Sequence, residues 1–148
     1  MSEGLYIISP RDDVERRHEK KTVLLMRDYY HLDVYKSSYK LLVEIHKNFT
    51  NLNREHKYTI GEKVKEKVFA VLVGIYKANK SDNKVAILEE ILDDVEYIGL
   101  SLRLLRDLNV LNEKRYVMLL VLSEDVRVQF EKWYCFEVKK DRIPKENK

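Results

Sequence analysis

The scarcity of helix-breaking residues restricts the fold of this chain more than any other feature of its sequence. Among 148 residues there are only two prolines, Pro10 and Pro144, which lie near the two ends, and only four glycines. An all-β domain needs many more turn residues than this, whereas uninterrupted helices need none. The sequence therefore predicts an all-α fold, and its length is that of one domain with a single core.

Four segments after residue 32 carry apolar residues at helical spacing and predict helices over residues 34–51, 60–79, 82–108 and 113–136. They form a predicted bundle domain (33–136) between an N-terminal arm (1–32), expected to be mobile, and a basic C-terminal tail (137–148). Short connections favour an antiparallel up-down-up-down four-helix bundle. The residues predicted to face its core are Tyr35, Tyr39, Leu42, Ile45 and Phe49; Ile60, Val64, Val68, Val71 and Ile75; Leu88, Ile91, Leu92, Val95, Ile98, Leu102 and Leu105; and Tyr116, Leu119, Val126, Phe130 and Trp133.

The stretch HKYTIGEKV, residues 56–64, predicts how the second helix begins. Thr59 with Glu62 three residues later matches a capping box, in which each side chain accepts a bond from a backbone N–H at the helix start. The residues before Thr59 are then expected to form a basic and aromatic loop. Asn112 is the predicted cap of the fourth helix.

Helices three and four carry more apolar residues than one bundle core can absorb. Since a surface helix of a monomer needs only one apolar stripe, the extra rows indicate that copies of the chain pack together. The predicted interface residues are Tyr97, Leu100, Leu104, Leu108, Val117, Leu120 and Val121.

The sequence contains no signal for a membrane span or for disulfide bonding. Its apolar runs are far shorter than the roughly 18 residues that such a span requires, and Cys135 is the only cysteine. We expect a cytoplasmic protein in which Cys135 packs near a helix end.

No constellation of residues predicts catalysis, a cofactor or a metal. A di-iron bundle needs two Glu-x-x-His pairs, and only one, ERRH at residues 15–18, is present. The four histidines are scattered, and His46 is predicted to be packed or half-buried. The chain is therefore interpreted as a protein without enzymatic activity.

Basic residues are concentrated in one part of the chain. Residues 36–80 contain ten Lys and Arg against four acidic residues, and residues 81–112 contain three against seven. Lysine and arginine bind phosphates with release of counterions, so this segment predicts nucleic-acid binding of low sequence specificity. The candidate residues are Lys36, Lys40, Lys47, Arg54, His56, Lys57, Lys63, Lys67 and Lys77. The acidic group Glu89, Glu90, Asp93, Asp94 and Glu96 is either a solvated face or a partner for a basic surface.

Four phrases resemble, in order and spacing, the bacterial four-helix bundle family that includes the accessory variability determinant (Avd) proteins of diversity-generating retroelements. They are SYKLLVEIHKNF, LNREHKYTIGEKV, IYKANKSDNKV and LSLRLLRDLNVLNEKRY, and the similarity covers residues 33–133. That family also includes proteins encoded in intervening sequences of 23S ribosomal RNA genes. The resemblance implies a homopentameric barrel of bundles without catalytic activity, which binds RNA or DNA and a reverse transcriptase. It adds Arg103, Lys114 and Arg115 to the basic surface.

Arg106 lies in the same phrase but leans toward the core stripe, so a structural salt bridge is an equal interpretation for it.

Three functions stay open at this point. The protein is a nucleic-acid-binding accessory of a reverse transcriptase, a bundle of the ribosomal intervening-sequence type, or a scaffold whose oppositely charged segments pair without nucleic acid. The arm and the tail extend beyond the family pattern and are candidate partner-binding additions.

Overall fold

The computed structural model describes residues 16–17 and 28–142, and regular structure in these ranges is helical throughout. The long helices are α1 (Asp33–Asn48), α2 (Glu62–Lys80), α3 (Lys84–Asp107) and α4 (Glu113–Arg142). A single 3-10 turn, Asp28–His31, precedes α1. The prediction of an all-α fold is confirmed. Most of the predicted N-terminal arm and the last six residues of the predicted tail lie outside the described residues.

Each long helix packs on the helix that follows it, and α1 also packs on α4. Polar contacts join the neighbouring helices. Lys67 of α2 pairs with Asp94 of α3 at 3.1 Å, the Tyr134 hydroxyl of α4 donates to Glu89 of α3 at 3.0 Å, and Gln129 of α4 donates to Ser37 of α1 at 2.8 Å. The inward faces of all four helices contribute to one hydrophobic cluster.

The core contains nearly all of the residues predicted to face it, but the prediction for Tyr39 is wrong. Tyr39 leaves 51% of its surface exposed. Ser38 takes the buried position instead, because its hydroxyl is satisfied by donating to the Val34 carbonyl at 2.6 Å. A buried hydroxyl that bonds back to its own helix gives no apolar signal in the sequence.

Gly74 allows α2 and α3 to approach closely. A Cβ placed on this residue would lie 2.6 Å from Cγ1 and 2.8 Å from Cδ1 of Ile91. Ile91 is 2% exposed, so it packs closely against this part of α2. A larger side chain at position 74 therefore requires Ile91 to shift, whatever the backbone conformation.

The start of α2 differs from the prediction, because no capping box forms at Thr59. Asn53 is the cap instead, and its side chain accepts from the His56 N–H at 3.0 Å. Helical structure then runs through a turn at Arg54–His56 and a π-helical segment at Lys57–Gly61 into α2. Thr59 lies inside this structure and donates its hydroxyl to the Glu55 carbonyl at 2.7 Å. The basic segment is consequently helical rather than a loop.

The start of α4 confirms the prediction, since Asn112 accepts from the Arg115 N–H at 2.9 Å. Its end does not, because the helix continues six residues beyond residue 136. Glu137 is buried there and accepts from the Trp133 indole N–H at 3.4 Å, which ties the additional turns to the core. Cys135 is exposed, so its predicted packing is wrong. No helix in the described ranges is long and apolar enough to cross a membrane.

Candidate nucleic-acid interface

The α1–α2 connection and the α3–α4 connection lie at the same end of the molecule. The contacts Lys67–Asp94 and Gly74–Ile91 run in opposite directions along α2 and α3, so the start of α2 lies beside the end of α3. Arg106, in the last turn of α3, lies over the Tyr116 ring of α4 at 4.5 Å. Residues 47–63 and 103–115 thus form one surface, which we call the basic end.

The basic end carries eight Lys and Arg residues against four acidic residues. The basic residues are Lys47, Arg54, Lys57, Lys63, Arg103, Arg106, Lys114 and Arg115, and His56 lies among them. Segments separated by about fifty residues in sequence contribute equally to this excess. The fold therefore unites most of the predicted basic candidates at one surface.

Several of these side chains are held in ion pairs on the surface. The distances are 3.8 Å for Lys47–Glu44, 3.7 Å for Lys63–Glu66 and 3.9 Å for Arg103–Asp107. Exposed pairs of this kind contribute little and are screened by salt, so a phosphate can replace the carboxylate. Arg106 differs, because it joins Asp107 at 3.0 Å and its pKa is raised chiefly by that hydrogen bond.

Arg54, Lys114 and Arg115 are exposed and make no ion pair within the described part of the chain. Lys57 is half-buried, with its ammonium 6.0 Å from the centre of the Tyr58 ring. Tyr58 itself is 64% exposed. These cations are consequently the members of the basic end that are most available to a ligand.

Two groups of predicted candidates lie outside the basic end. Lys67 is half-buried, pairs with Asp94 and lies 5.3 Å from the centre of the Tyr97 ring, so it links α2 to α3. Lys36, Lys40 and Lys77 are exposed and lie toward the opposite half of the molecule. The single basic hairpin surface expected from the sequence is thus divided in two.

A cluster of five tyrosines beside Lys36 and Lys40 was missed from the sequence. It contains Tyr29, Tyr30, Tyr35, Tyr39 and Tyr76, and we call it the tyrosine cluster. Partial burial and the neighbouring hydroxyls raise the pKa of Tyr35 above its ordinary value. The i, i+4 spacing of Tyr35 and Tyr39, interleaved with Lys36 and Lys40, was the available signal, but aromatic residues at helical spacing were assigned to the core.

Most of the predicted interface residues are exposed on the single chain. Along α3 and at its C-cap Leu108, Tyr97 is 38%, Leu100 59%, Leu104 46% and Leu108 47% exposed. On α4, Val117 and Val121 are also exposed. Leu120 is an exception, since it is half-buried and packs against the core. The remaining six residues present exposed apolar surface, although Lys67 lies over one side of the Tyr97 ring.

The described residues contain no group of His, Cys, Asp or Glu side chains that could hold a metal ion. Glu15 and His18 of the ERRH motif lie outside the described residues. His46 is exposed, contrary to the prediction, and its ring meets the Phe69 ring edge-on at 6.1 Å. Partial burial, followed by the nearby Lys65, lowers its pKa.

No protein-family model matches the chain, and a search of curated proteins finds no match. The function is therefore inferred from the surfaces of the described residues.

Proposed function

We propose that this protein is a non-enzymatic accessory protein that binds nucleic acid in the manner implied by its resemblance to Avd. It holds a template RNA or its cDNA and presents it to a reverse transcriptase in a diversity-generating retroelement. The observation that carries the proposal is the basic end, where two distant segments supply eight basic residues against four acidic ones. Such a surface neutralises phosphates without selecting a base sequence.

The proposed scaffold is an up-down-up-down four-helix bundle. Contacts between helices that follow one another, together with contact between α1 and α4, support this topology. Connections of only a few residues between helix ends support it as well, since they favour antiparallel neighbours.

The proposed assembly is a homopentamer. The exposed apolar rows of α3 and α4 support self-association, because apolar patches of this kind on a soluble chain are commonly interfaces. The number five comes from the family resemblance. A closed ring would repeat the basic end around an axis, and each added subunit would increase the binding strength through multivalency.

The test of nucleic-acid binding compares two double charge reversals. Arg54→Glu with Lys57→Glu removes two cations of the basic end, whereas Lys132→Glu with Lys139→Glu changes two exposed lysines of α4 far from it. We expect the first variant to bind a structured RNA more weakly, with a salt slope shallower by about one per lost phosphate contact. The second variant should bind like the unchanged protein.

Fluorescence anisotropy at about 50 mM and about 500 mM salt measures both quantities. Equal affinities of the two variants at low salt would contradict the assignment of the basic end. Co-purification of a reverse transcriptase encoded beside this gene tests the proposed partner separately.

A scaffold without a nucleic-acid role is the second candidate, as a specific observation favours it. Lys47, Lys63, Lys67 and Arg103 already have carboxylate partners within the chain. In that case charged surfaces would pair between subunits, and high salt would dissociate the assembly. An oligomer that keeps its mass at high salt, measured by light scattering, would exclude this form of assembly. The ribosomal intervening-sequence branch shares the proposed fold and is distinguished by the genes that surround this one.

A further inference from the structure

The tyrosine cluster contains a stack of nearly parallel rings that ends at the surface. The Tyr30 and Tyr35 rings are stacked, with centroids 4.7 Å apart and planes inclined by 19°. Tyr39 continues the stack from Tyr35, with centroids 6.1 Å apart and planes inclined by 17°. Tyr39 is the outermost ring of the three and is 51% exposed.

The two remaining rings hold this stack against the fold. Tyr29 meets the Tyr35 ring at 5.5 Å with an interplanar angle of 76° and also contacts the Tyr76 ring of α2 at 5.7 Å. These contacts fix the 3-10 turn to both α1 and α2. The packing of Tyr29 against Tyr35 and Tyr76 consequently holds the stacked rings in place.

A row of lysines runs beside the stack. Lys36 and Lys40 follow Tyr35 and Tyr39 in sequence, so the two residue types form parallel rows along the same turns of α1, and both lysines are exposed. On the α2 side, Lys80 lies 4.4 Å from the centre of the Tyr76 ring and donates to its hydroxyl at 3.2 Å. Asp33 and Glu44 are the acidic residues nearest to the two lysines in sequence, each one helical turn beyond the row. Glu44 is joined to Lys47 at 3.8 Å, so the row between them carries two lysines and no carboxylate.

We propose that the tyrosine cluster with Lys36 and Lys40 is a stacking platform for unpaired bases of a single-stranded nucleic acid. An unpaired base would extend the stack on Tyr39, while Lys36 and Lys40 would bind the flanking phosphates. Aromatic rings beside a cationic track are the combination that single-strand-binding proteins use, since every base has a face that can stack. A duplex keeps its bases stacked internally and would gain only the phosphate contacts.

This inference deepens the proposed function, on which it rests, by naming the form of nucleic acid that is bound. It also assigns separate tasks to two surfaces. The basic end attracts any polyanion, whereas the platform distinguishes a single strand from a duplex. A protein that assists the copying of a template into cDNA would need to hold such unpaired segments.

The experiment uses three ligands of equal charge and a length of about 20 nucleotides: a single strand, the same strand with abasic sites, and a duplex of matched phosphate number. Anisotropy titrations compare the unchanged protein with Tyr39→Leu and Tyr39→Trp. Phe136→Leu is the matched control, since Phe136 is a 63% exposed ring on α4 outside the cluster. Thermal melting verifies that every variant is folded, which we expect because Tyr39 lies at the surface.

We expect Tyr39→Leu to bind the single strand at least about 5-fold more weakly and to bind the abasic strand and the duplex unchanged. Tyr39→Trp should retain the affinity, and its fluorescence should be quenched by the single strand beyond the change that Trp133 shows in the unchanged protein. Phe136→Leu should have no effect. Lys36→Gln with Lys40→Gln should weaken the binding of all three ligands, and the affinity for the single strand should fall most.

The outcomes separate the two proposals. If the unchanged protein binds all three ligands equally and Tyr39→Leu alters none of them, the platform is wrong while nucleic-acid binding stands. If the unchanged protein binds no ligand even at low salt, both proposals are wrong. Selective loss of single-strand binding in Tyr39→Leu supports the platform.

Discussion

The two apolar faces of α3 have opposite environments although their sequence patterns are alike. The core face is nearly inaccessible, with Ile98, Leu102 and Leu105 at 0% exposure. The outer row on the same helix leaves between 38% and 59% of each side chain exposed, from Tyr97 to Leu100. Helical spacing predicts that an apolar row will be covered, but it does not state whether the cover comes from the same chain or from another copy.

Burial and exposure place different demands on the sequence of α3. On the core face every methyl group is in contact, so volume matters at each position. On the outer row, where we propose that copies associate, the apolar character of each exposed side chain matters more than its volume. Substitutions at paired positions on the two faces should therefore have effects of different kinds, on stability for one face and on assembly for the other.

The largest effect is expected from truncation on the core face. Leu102→Ala should lower the free energy of unfolding by about 2–5 kcal/mol, because it removes buried methyl groups and leaves a cavity. Leu104→Ala, two residues along the same helix, is the control on the outer row and should change it by less than about 0.5 kcal/mol. Urea unfolding followed by circular dichroism at low protein concentration measures both. Equal losses would show that the outer row is also part of the subunit core.

The next effect concerns the contact between α2 and the core face of α3. Gly74→Ala should destabilise the fold by about 1–3 kcal/mol, since the added methyl would lie within 3 Å of the Ile91 side chain and force it to shift. Gly99→Ala is the matched control, because a Cβ there has no neighbouring atom within 4 Å. It should stabilise α3 by about 0.5–1 kcal/mol through its higher helix propensity. A shift of the same sign in both variants would contradict the close-approach explanation for Gly74.

Substitutions in the outer row should change the mass of the proposed assembly rather than the stability of the subunit. Leu100→Gln with Leu104→Gln should reduce the proposed oligomer to smaller species, because the polar amides would be buried at its interface without partners. The unfolding free energy of the dissociated subunit should change by less than about 0.5 kcal/mol. Light scattering measures the mass, with Val73→Gln on the exposed side of α2 as the control. An unchanged mass would place the interface elsewhere.

The smallest effect is expected from His46, an exposed residue on the side of α1 that faces neither the core nor the outer row. Its pKa in the folded protein lies below its ordinary value of 6.5, mainly through partial burial. Protonation is therefore less favourable in the folded state, so stability is full above about pH 6.5 and falls as the pH drops through that value. His46→Gln should remove a small part of this loss. Urea unfolding at about pH 7.5 and about pH 5 measures the difference, and an identical pH dependence would contradict the assignment.

The sequence predicted the helices well where periodicity and burial agree, and less well where local chemistry competed. Four helices, their core stripes and the Asn112 cap followed from the positions of apolar and capping residues. The cap of the helical segment before α2 could not be predicted in this way. Asn53 and Thr59 are both good capping residues, and only the packing of the segment selected Asn53. The end of α4 could not be predicted either, because the Trp133–Glu137 contact that supports its last turns has no apolar pattern.

The candidate site divides in the same way. The list of basic residues could be written from the sequence, since charge is a property of each residue alone. Their grouping could not, because it depends on which helix ends lie together. Tertiary structure brought the connections that carry Arg54 and Arg115 to the same end of the molecule. It paired Lys67 with Asp94 and placed Tyr39 at the surface instead of in the core.

By itself, the sequence determined the all-α class, the number of helices and the apolar rows, because these depend on backbone breakers and on a spacing of 3.6 residues. Only the tertiary structure decided which apolar row is inward, which cations share a surface and where five tyrosines from three segments meet. Those features arise from contacts between residues distant in the chain, and the spacing of residues along one helix carries no information about its neighbours.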